Sequence, residues 1–356
     1  MSEFVPHWEH ADHADEFGLP RRAWIPAEYG TASRFVTRRL LARAGQGYAV
    51  LAEDRWSGGD VVVKGMWWPE TALDDPRQVH SVLSSQESRR RQGLHAAHRA
   101  SQLTQQCPVV ISEESQPSPS LVAAGRHPDP PDESFLIQQF IGQRGNASRT
   151  LQQDIEERAQ HGHFYTEAEL LDLAEQLCNT LAALHAERHT GEKSAKGWIH
   201  ADVKPENILV LGPPARYVLI DYDAAVQIGD RIATTTRAYA PPAPEGSDEP
   251  GETTEGNVRF DIYMLGATLA HAAGLRRLTE EQYRQLYAED FETIGPARNY
   301  LNGLGYGPVL TTALATSLSA RKFRLATVDR VRIDLARARS ATVLLSALRT
   351  PGGSAP

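Results

Sequence analysis

The spacing of apolar residues changes along the chain, from a period of two in the first part to a helical repeat further on. From Phe35, the pattern predicts a strand, a turn of small residues and a second strand that ends near Asp54. A Gly-Gly turn then leads into the apolar run 61–64, and residues 135–142 form another such run. These segments predict a sheet in the first part of the chain.

Helical spacing dominates the rest of the chain. Thr166 can cap a helix with Glu167 and Glu169 in its first turn, where the helix dipole favours acids, and apolar residues follow at helical spacing up to His185. An earlier stretch, 78–105, is polar but lacks proline and is also predicted to be helical. The other predicted helices are 259–269, 279–290, 307–320 and 327–349.

Polar segments without periodicity separate these elements. Residues 113–134 contain five prolines among serines and acids, which predicts a mobile loop inserted between two strands. Residues 187–197 form a polar link, and 244–257 form an acidic loop. Residues 1–30 are also polar and are predicted to be an N-terminal extension. The alternative is that this extension packs on the first part of the chain through Trp8 and Trp24.

Composition excludes several classes of protein. The 356 residues are 41% hydrophobic and carry a formal net charge of −8, with acids and bases interspersed, which argues against a nucleic-acid-binding surface. Cys107 and Cys178 are too few for a disulfide framework. The N-terminal residues do not resemble a signal peptide, and no apolar run approaches roughly 18 residues. We therefore expect a cytoplasmic protein without a membrane span.

One region combines apolar strands with acid and amide side chains at their ends. The runs 198–210 and 217–223 flank a Gly-Pro turn, which predicts a hairpin that brings Asn207 and Asp221 to the same end. A carboxylate and an amide at one point can hold a divalent cation through oxygen ligands. Asp202, one loop turn away, is then free to orient an attacking hydroxyl. The alternative is a pair of buried strands with polar loop ends, which this combination of residues makes the weaker interpretation.

This region resembles the catalytic core of the eukaryotic-like (Hanks-type) Ser/Thr protein kinase family, whose motifs are H-R-D-x-x-x-x-N and D-F-G. The matching residues are His200, Ala201, Asp202 and Asn207, followed by Asp221, Tyr222 and Asp223. Ala201 replaces the arginine and Asp223 replaces the glycine, so the resemblance is to a divergent member, for which we expect a bacterial source. Lys204 matches the lysine of the Ser/Thr-directed members.

The resemblance implies an α+β, bilobal fold with a small β-rich N-lobe and a mainly helical C-lobe. The family's motifs follow in order from about residue 35 to residue 346. The implied organisation is an N-terminal extension, an N-lobe, a C-lobe and a tail, at residues 1–30, 31–141, 142–349 and 350–356.

The resemblance also implies nucleotide contacts in the first lobe. Gly45 and Gly47 fall in the family's glycine-rich loop, while Ala42 and Ala44 stand at its first two glycines. Small residues there let backbone N–H groups approach phosphates closely. Lys64 takes the place of the lysine on the third strand of the family's sheet.

Two further nucleotide-binding elements are implied. Glu87 lies on the predicted helix whose glutamate pairs with the strand lysine in this family. The alternative is that Glu87 belongs to a solvated helix face with neighbouring arginines. Gln138 takes the place of the gatekeeper, and Gln139 to Ile141 take the place of the hinge whose backbone meets adenine.

A later segment resembles the end of a kinase activation segment. Thr236, Tyr239 and Pro242 match the family, whereas Ala243 stands where a glutamate recurs. The resemblance places Thr236 in hydrogen-bonding contact near the catalytic loop.

Two structural ties are implied in the second lobe. The missing glutamate normally pairs with an arginine, for which Arg324 is the candidate, with Glu245 as a substitute acid. Asp261 is expected to cap its helix and to hold the backbone of the catalytic loop.

The implied function is Mg²⁺-assisted transfer of a phosphoryl group from ATP to Ser/Thr hydroxyls of proteins. In this family's arrangement Lys64 contacts the α- and β-phosphates, and Asn207 and Asp221 hold Mg²⁺. Asp202 orients the substrate hydroxyl and Lys204 steadies the γ-phosphate. The implied partners are protein substrates and a regulatory protein, without nucleic acid.

Two other functions fit part of the sequence. A small-molecule kinase of the aminoglycoside-phosphotransferase type also lacks an arginine at the position of Ala201 and carries an acid near that of Asp223, but it usually has histidine in place of Lys204. A nucleotide-binding pseudokinase scaffold would explain the same departures, although the catalytic residues are intact. Because Ala201 cannot bind a phosphate, we expect activity without phosphorylation of Thr234 or Thr235.

Overall fold

The structure is a computed structural model that describes most of the chain. The described residues are 21–43, 47–69, 71, 73, 75–104, 106–125, 128–143, 146–190, 193–242, 255–288, 296–319 and 327–349. The chain divides into two compact units, one of residues 1–98 and 108–148 and the other of residues 99–107 and 149–356. The division after residue 141 that the sequence suggested stays a prediction.

The first unit is built on a six-stranded antiparallel sheet. The strands in this part of the chain are β1 (Arg21–Arg22), β2 (Glu28–Tyr29), β3 (Phe35–Arg43), β4 (Gly47–Asp54), β5 (Gly59–Met66), β6 (Trp68–Pro69), β7 (Val110–Pro117), β8 (Asp132–Gln139), β9 (Gly142–Gln143) and β10 (Asn146–Ala147). The strand order in the large sheet is β2-β3-β4-β5-β8-β7. The predicted strands from Phe35 to Asp54, at 61–64 and near 135–142 are thus confirmed.

Alternation along β5 explains how the sheet separates a buried face from a more accessible one. Val61 and Val63 are buried, whereas Val62 and Lys64 are half-buried on the opposite face. Successive side chains of a strand point to opposite faces, so the apolar pattern fixes the side on which Lys64 lies. The turn before β5 uses Gly58 at a φ of 67°, a conformation that glycine adopts at little cost.

Residues 21–30 are part of this unit and not a solvated extension. Ala23, Ile25 and Tyr29 are buried among the apolar residues of the sheet, and β1 pairs with β6. The Trp24 backbone N–H donates to Ser120 Oγ at 2.9 Å. The prediction of a polar extension is therefore wrong for these residues, and the packing alternative holds for them. Residues 1–20 lie outside the described part of the chain.

Residues 113–134 form regular elements where a mobile loop was expected. They hold most of β7, the short helix α2 (Pro119–Ala124) and the start of β8. Pro119 occupies the first turn of its helix, where a missing N–H costs nothing, and Pro117 ends an edge strand. Leu121 is fully buried against Trp68. The prolines therefore mark element boundaries.

A helix and a buried carboxylate complete the first unit. The helix α1 (Pro76–Leu103) confirms the one predicted at 78–105, and its last residues group with the second unit. Glu133 Oε2 accepts hydrogen bonds from Trp68 Nε1 at 3.1 Å and Ser118 Oγ at 2.8 Å. Burial raises the pKa of this carboxyl.

The second unit is mainly helical. The second-unit helices are α3 (Leu151–His161), α4 (Glu167–His185), α5 (Val258–Gly274), α6 (Glu280–Ala288), α7 (Pro296–Gly303), α8 (Pro308–Leu318) and α9 (Val328–Arg349). Thr166 caps α4, as the sequence predicts, and forms a capping box with Glu169.

Short strands frame the loops of the second unit. They are β11 (Arg149–Thr150), β12 (Arg188–Thr190), β13 (Lys193–Ala195), β14 (Trp198–Ile199), β15 (Ile208–Leu211), β16 (Arg216–Leu219) and β17 (Val226–Gln227). β12 and β13 pair within the segment predicted as a polar link. In the described residues no helix is both long enough and apolar enough to span a bilayer.

The helix predictions for the second unit hold with two corrections. The predicted helices at 279–290, 307–320 and 327–349 correspond to α6, α8 and α9. The cap of α5 is Asn257, which accepts a hydrogen bond from the Arg259 N–H, and not Asp261. Asp261 lies inside the helix, where its short side chain can reach a neighbouring loop. The helix α7 was not predicted from the sequence.

The burial of residues 21–30 predicts a large stability effect in a stretch of polar composition. We expect Ile25→Ala, at a side chain that is 2% exposed, to lower the free energy of unfolding by about 2–5 kcal/mol, because it leaves a cavity. The measurement is a urea titration of the full chain. The control Val122→Ala, at a side chain that is 41% exposed, should change stability by no more than about 0.5 kcal/mol. An equally small effect of Ile25→Ala would contradict the packing of this segment.

Candidate active site

The predicted hairpin forms the base of the candidate site. β15 and β16 pair antiparallel with Ile208 opposite Leu219. The Ile220 N–H then donates to the Asn207 carbonyl at 2.8 Å. This bond places Asn207 beside the residue before Asp221, so the hairpin brings the two oxygen-bearing side chains to one end, as the sequence predicts.

Asp261 holds the backbone of the loop before Asp202. Its Oδ2 accepts the His200 N–H at 2.7 Å and its Oδ1 accepts the Ala201 N–H at 2.8 Å. His185 Nε2 also lies 2.8 Å from Oδ2. Asp261 is fully buried, and buried carboxylates persist only where hydrogen bonds replace water. The predicted tie between Asp261 and this loop is confirmed.

The loop that Asp261 holds is strained at Ala201. This residue has a φ of 60°, in the left-handed region that a residue with a Cβ seldom adopts. Such a conformation persists when its surroundings impose it. The bond from the Ala201 N–H to Asp261 is one such constraint, and it fixes the direction in which the next residue, Asp202, leaves the loop.

Three side chains orient the Asp202 carboxylate. Oδ2 accepts Asn207 Nδ2 at 2.8 Å and lies 2.9 Å from Lys204 Nζ. Oδ1 accepts both the backbone N–H and the hydroxyl of Thr236, at 3.0 and 2.6 Å. Each carboxylate oxygen therefore contacts two donor groups, and these contacts hold the carboxylate in one orientation.

Thr236 joins Asp202 to Lys204, as the resemblance implied. Lys204 Nζ donates to Thr236 Oγ1 at 2.6 Å, while the same hydroxyl donates to Asp202. The preceding residue adds a contact that the sequence did not suggest: Thr235 Oγ1 donates to the Ala201 carbonyl at 2.6 Å. Two adjacent hydroxyls thus fasten this segment to the loop that carries Asp202.

Asn207 and Asp221 suit a magnesium ion better than a fully caged metal. Asn207 spends its amide N–H groups on the Asp202 carbonyl and carboxylate, which leaves its Oδ1 for a cation. Among the described residues no group of three or more His, Cys, Asp or Glu could hold a metal. One carboxylate and one amide oxygen match Mg²⁺, which keeps several waters and takes further oxygens from phosphates.

His200 supports this end of the hairpin in its neutral form. The Asp202 N–H donates to His200 Nδ1 at 3.3 Å, so the proton lies on Nε2, 3.2 Å from the Ile220 carbonyl. Burial lowers the pKa of His200, which agrees with that tautomer. Tyr222 is buried and packs edge-on against the imidazole, with ring centroids 4.7 Å apart.

Tyr239 anchors the segment after Thr236. The Tyr239 hydroxyl lies 2.8 Å from Nδ1 of His271, a residue of the helix α5 (Val258–Gly274). Burial raises the pKa of Tyr239 and lowers the pKa of His271 to about 4, so the phenol donates to a neutral imidazole. The sequence did not single out His271, although a histidine in an otherwise apolar helix signals a buried polar contact.

The predicted residues Gly47, Lys64 and Gln139 lie on β4, β5 and β8, which are neighbouring strands of the six-stranded sheet. Lys64 lies on the half-buried face of β5. Gly47 begins β4, where an added Cβ would lie 2.5 Å from the Gly65 carbonyl oxygen, so close packing requires glycine there. Gln139 is exposed and its N–H donates to the Val109 carbonyl at 2.8 Å, and Ile141 is half-buried.

Glu87 has the surroundings of the alternative that the sequence left open. Its side chain is 50% exposed and forms an ion pair with Arg91 at 2.5 Å, one turn along α1. This is a solvated helix face. The pairing of Glu87 with Lys64 stays a prediction. Gly45, Ala243, Glu245 and Arg324 lie outside the described residues.

Comparisons with known proteins agree with this geometry. No protein-family profile matches the chain. It is 34% identical over 108 residues to serine/threonine-protein kinase 16 of Rattus norvegicus, a match that covers 30% of each protein. It is 38% identical over 64 residues to serine/threonine-protein kinase YabT of Bacillus subtilis (strain 168), covering 18% of this chain and 16% of that protein. The matches thus span a third or less of these relatives.

Solved structures match over a larger share of the chain. A double mutant of the kinase domain of Mycobacterium tuberculosis PknI aligns with a TM-score of 0.56 at 15% identity, covering 88% of this chain and 99% of that domain. The kinase domain itself gives 0.53 at 16% identity, with the same coverage. The predicted α+β protein kinase fold is confirmed, as is the resemblance to Ser/Thr protein kinases. Together the relatives and the fold support a protein kinase function.

The buried pair of Tyr239 and His271 predicts a loss of stability in acid. The ordinary pKa of histidine is 6.5, and that of His271 is about 4 in the folded chain. Between these values the unfolded state binds the additional proton, so the free energy of unfolding falls as the pH drops from 6.5 to about 4. The full loss is about 3 kcal/mol.

A comparison of two proteins isolates this contribution from that of other acids. Urea titrations between pH 7 and pH 4 on the wild type and on His271→Gln should give a shallower pH dependence for the variant. Parallel stability curves for the two proteins would mean that His271 is not held neutral by its surroundings.

Proposed function

We propose that this chain is an ATP-dependent Ser/Thr protein kinase that uses Mg²⁺. The observation that carries the proposal is the Asp202 carboxylate, which Lys204, Asn207 and Thr236 hold in place. The backbone bond from Ile220 to Asn207 brings the next residue, Asp221, to the same end of the hairpin. A carboxylate oriented in this way can accept a hydrogen bond from an incoming hydroxyl and hold its oxygen toward a phosphorus atom.

The residues of the second unit supply positioning and charge. Asp202 aligns the substrate hydroxyl, whose oxygen bonds to the γ-phosphorus while the bond from that phosphorus to the β–γ bridging oxygen breaks. The hydroxyl proton passes to Asp202 or to an oxygen of the transferred phosphoryl group, and the bridging oxygen leaves on the β-phosphate of ADP. Lys204 neutralises charge on the transferred group. Asn207 Oδ1 and the Asp221 carboxylate would hold Mg²⁺, which offsets charge on the phosphates when bound.

The residues of the first unit would bind the nucleotide. Lys64 takes the α- and β-phosphates, and the backbone from Gln139 to Ile141 takes the adenine. Gly45 and Gly47 let the backbone approach the phosphates. Glu87 is assigned to orient Lys64, and its ion pair with Arg91 in this structure means that helix α1 would have to turn or shift for that role.

Protein substrates are favoured over small molecules by the contact between Lys204 and Thr236. This bond fastens an activation-segment-like stretch to the catalytic loop, and such a stretch presents backbone and side chains to a polypeptide. We also place the protein in the cytoplasm and assign its regulation to a partner protein, on composition alone.

Two substitutions test this function, one at the residue proposed to orient the acceptor hydroxyl and one at the residue proposed to contact the nucleotide phosphates. Asp202→Asn removes the acceptor for the hydroxyl and Lys64→Met removes the phosphate contact, and each should lower phosphoryl transfer to a generic protein substrate by at least about 10²-fold. The assay uses labelled Mg-ATP and full-length protein. The control is Glu280→Gln, on the exposed face of the helix α6 (Glu280–Ala288), which should leave the rate of transfer unchanged. ATP binding without transfer to protein or small molecules would show a pseudokinase, and transfer to small molecules alone would show the other kinase class.

Activation without phosphorylation follows from the contact between Thr235 and Ala201. The segment is already fastened by hydrogen bonds to the Ala201 carbonyl and the Asp202 carboxylate that need no phosphate, so phosphatase-treated protein should transfer at the rate of untreated protein. Thr234→Ala should stay within about twofold of the wild type, and Thr235→Ala should lose only what one hydrogen bond contributes, about 1 kcal/mol or fivefold. Loss of most activity on phosphatase treatment, with recovery after phosphorylation, would contradict this expectation.

A further inference from the structure

The residues that follow Thr236 form a tight turn beside the candidate acceptor site. The Tyr239 N–H donates to the Thr236 carbonyl at 3.0 Å, which makes Arg237 and Ala238 the central residues of a β-turn. Thr236, at the start of the turn, is bonded to Asp202. Tyr239, at its end, is fixed by His271. Both ends of the turn are therefore held, and of its two central residues Ala238 packs against the core while Arg237 is exposed.

Two arginines lie at this turn. Arg237 is exposed at its centre. Arg277 follows the helix α5 (Val258–Gly274) closely in the chain. One of its guanidinium nitrogens donates to the Ala238 carbonyl at 3.1 Å. In the part of the chain that the structure describes, neither guanidinium has an ion pair with an acid. One of the two is thus oriented by the backbone of the turn, with its remaining N–H groups available to a ligand.

The acids close to the turn do not cancel this charge. Asp202 is paired with Lys204. Glu206 is exposed and close enough to act on Tyr239, as Arg277 also does. Glu156, also exposed, acts on His271 in the same way. Among the described residues neither acid forms an ion pair with Arg237 or Arg277, so both guanidinium groups keep N–H groups for a ligand. A guanidinium with free N–H groups is suited to bidentate bonding of a carboxylate.

Distance connects these arginines to the acceptor hydroxyl. That hydroxyl must come within about 3 Å of Asp202, and Thr236 is bonded to the same carboxylate. The Cα atoms of Arg237 and Ala238 lie at most about 3.8 and 7.6 Å from that of Thr236. An extended peptide advances about 3.3 Å per residue, so a side chain one to three positions from the acceptor comes within reach of both guanidinium groups.

We propose that Arg237 and Arg277 select substrates with an aspartate or glutamate one to three residues from the phosphorylated hydroxyl. This inference rests on the proposed function and adds the substrate class to it. The two residues are specificity determinants, since they touch the substrate away from the reacting atoms.

The test compares peptides that share a serine acceptor. Each carries aspartate, alanine or lysine at one position from three residues before the serine to three residues after it, and kcat/KM is measured with Mg-ATP and the full chain. We expect aspartate to raise kcat/KM about 3- to 10-fold over alanine at one or two positions, mainly through KM, and lysine to lower it, as estimated for partly exposed ion pairs.

Matched variants identify the arginines responsible. Arg237→Ala and Arg277→Ala should each reduce the aspartate-to-alanine ratio about two- to fivefold, and Arg237→Glu should shift the preference towards lysine. Arg276→Ala is the control, because its guanidinium stacks on Tyr300, 4.5 Å from the ring centroid, and not on the turn. The control should retain the wild-type ratio.

The outcomes separate this inference from the function on which it rests. Equal transfer to aspartate, alanine and lysine peptides would overturn the substrate preference and leave the kinase function standing. An aspartate preference that Arg276→Ala reduces as much as Arg277→Ala would overturn the assignment to these residues. Absence of transfer to every peptide and protein would overturn both proposals.

Discussion

The second unit depends on one buried carboxylate. Asp261 takes the backbone N–H groups of His200 and Ala201 and lies within hydrogen-bonding distance of His185. The bond at Ala201 helps to hold a left-handed backbone conformation just before Asp202. Without Asp261 these donors would be buried and unpaired, at a cost of about 1–3 kcal/mol each. An acid that does no chemistry thus fixes the position of the acid that is proposed to do it.

Hydrogen bonds from Asn207 and Thr236 extend this fixed arrangement to the side chains of Asp202 and Lys204. Asn207 ties its amide to Asp202, and Thr236 bonds both Asp202 and Lys204. Because each group has its partners before a substrate arrives, little reorganisation would accompany binding, which is what electrostatic preorganisation requires. The hairpin of β15 and β16 adds Asp221 to the same end through a single backbone bond from Ile220.

Sequence reasoning succeeded where structure follows from neighbours along the chain. The capping box at Thr166, the helix 76–103 and the hairpin at Asn207 all have local signals. It failed where tertiary contacts decide: residues 21–30 are polar in composition but bury Ile25. For Glu87 the sequence left two surroundings open, because composition does not reveal which face of a helix a residue occupies. The structure shows the exposed one, with an ion pair to Arg91, and the pairing with Lys64 stays a prediction.

The bond between the Thr235 hydroxyl and the Ala201 carbonyl has a consequence for control of the protein. Neither group ionises between pH 4 and 9 or pairs with a counter-ion, so the contact is indifferent to salt and to the protonation state of its surroundings. A segment fastened in this way does not itself respond to salt or pH. Control of such a catalyst would then have to act from outside this contact, through a partner protein as proposed above or through the substrates that are brought within its reach.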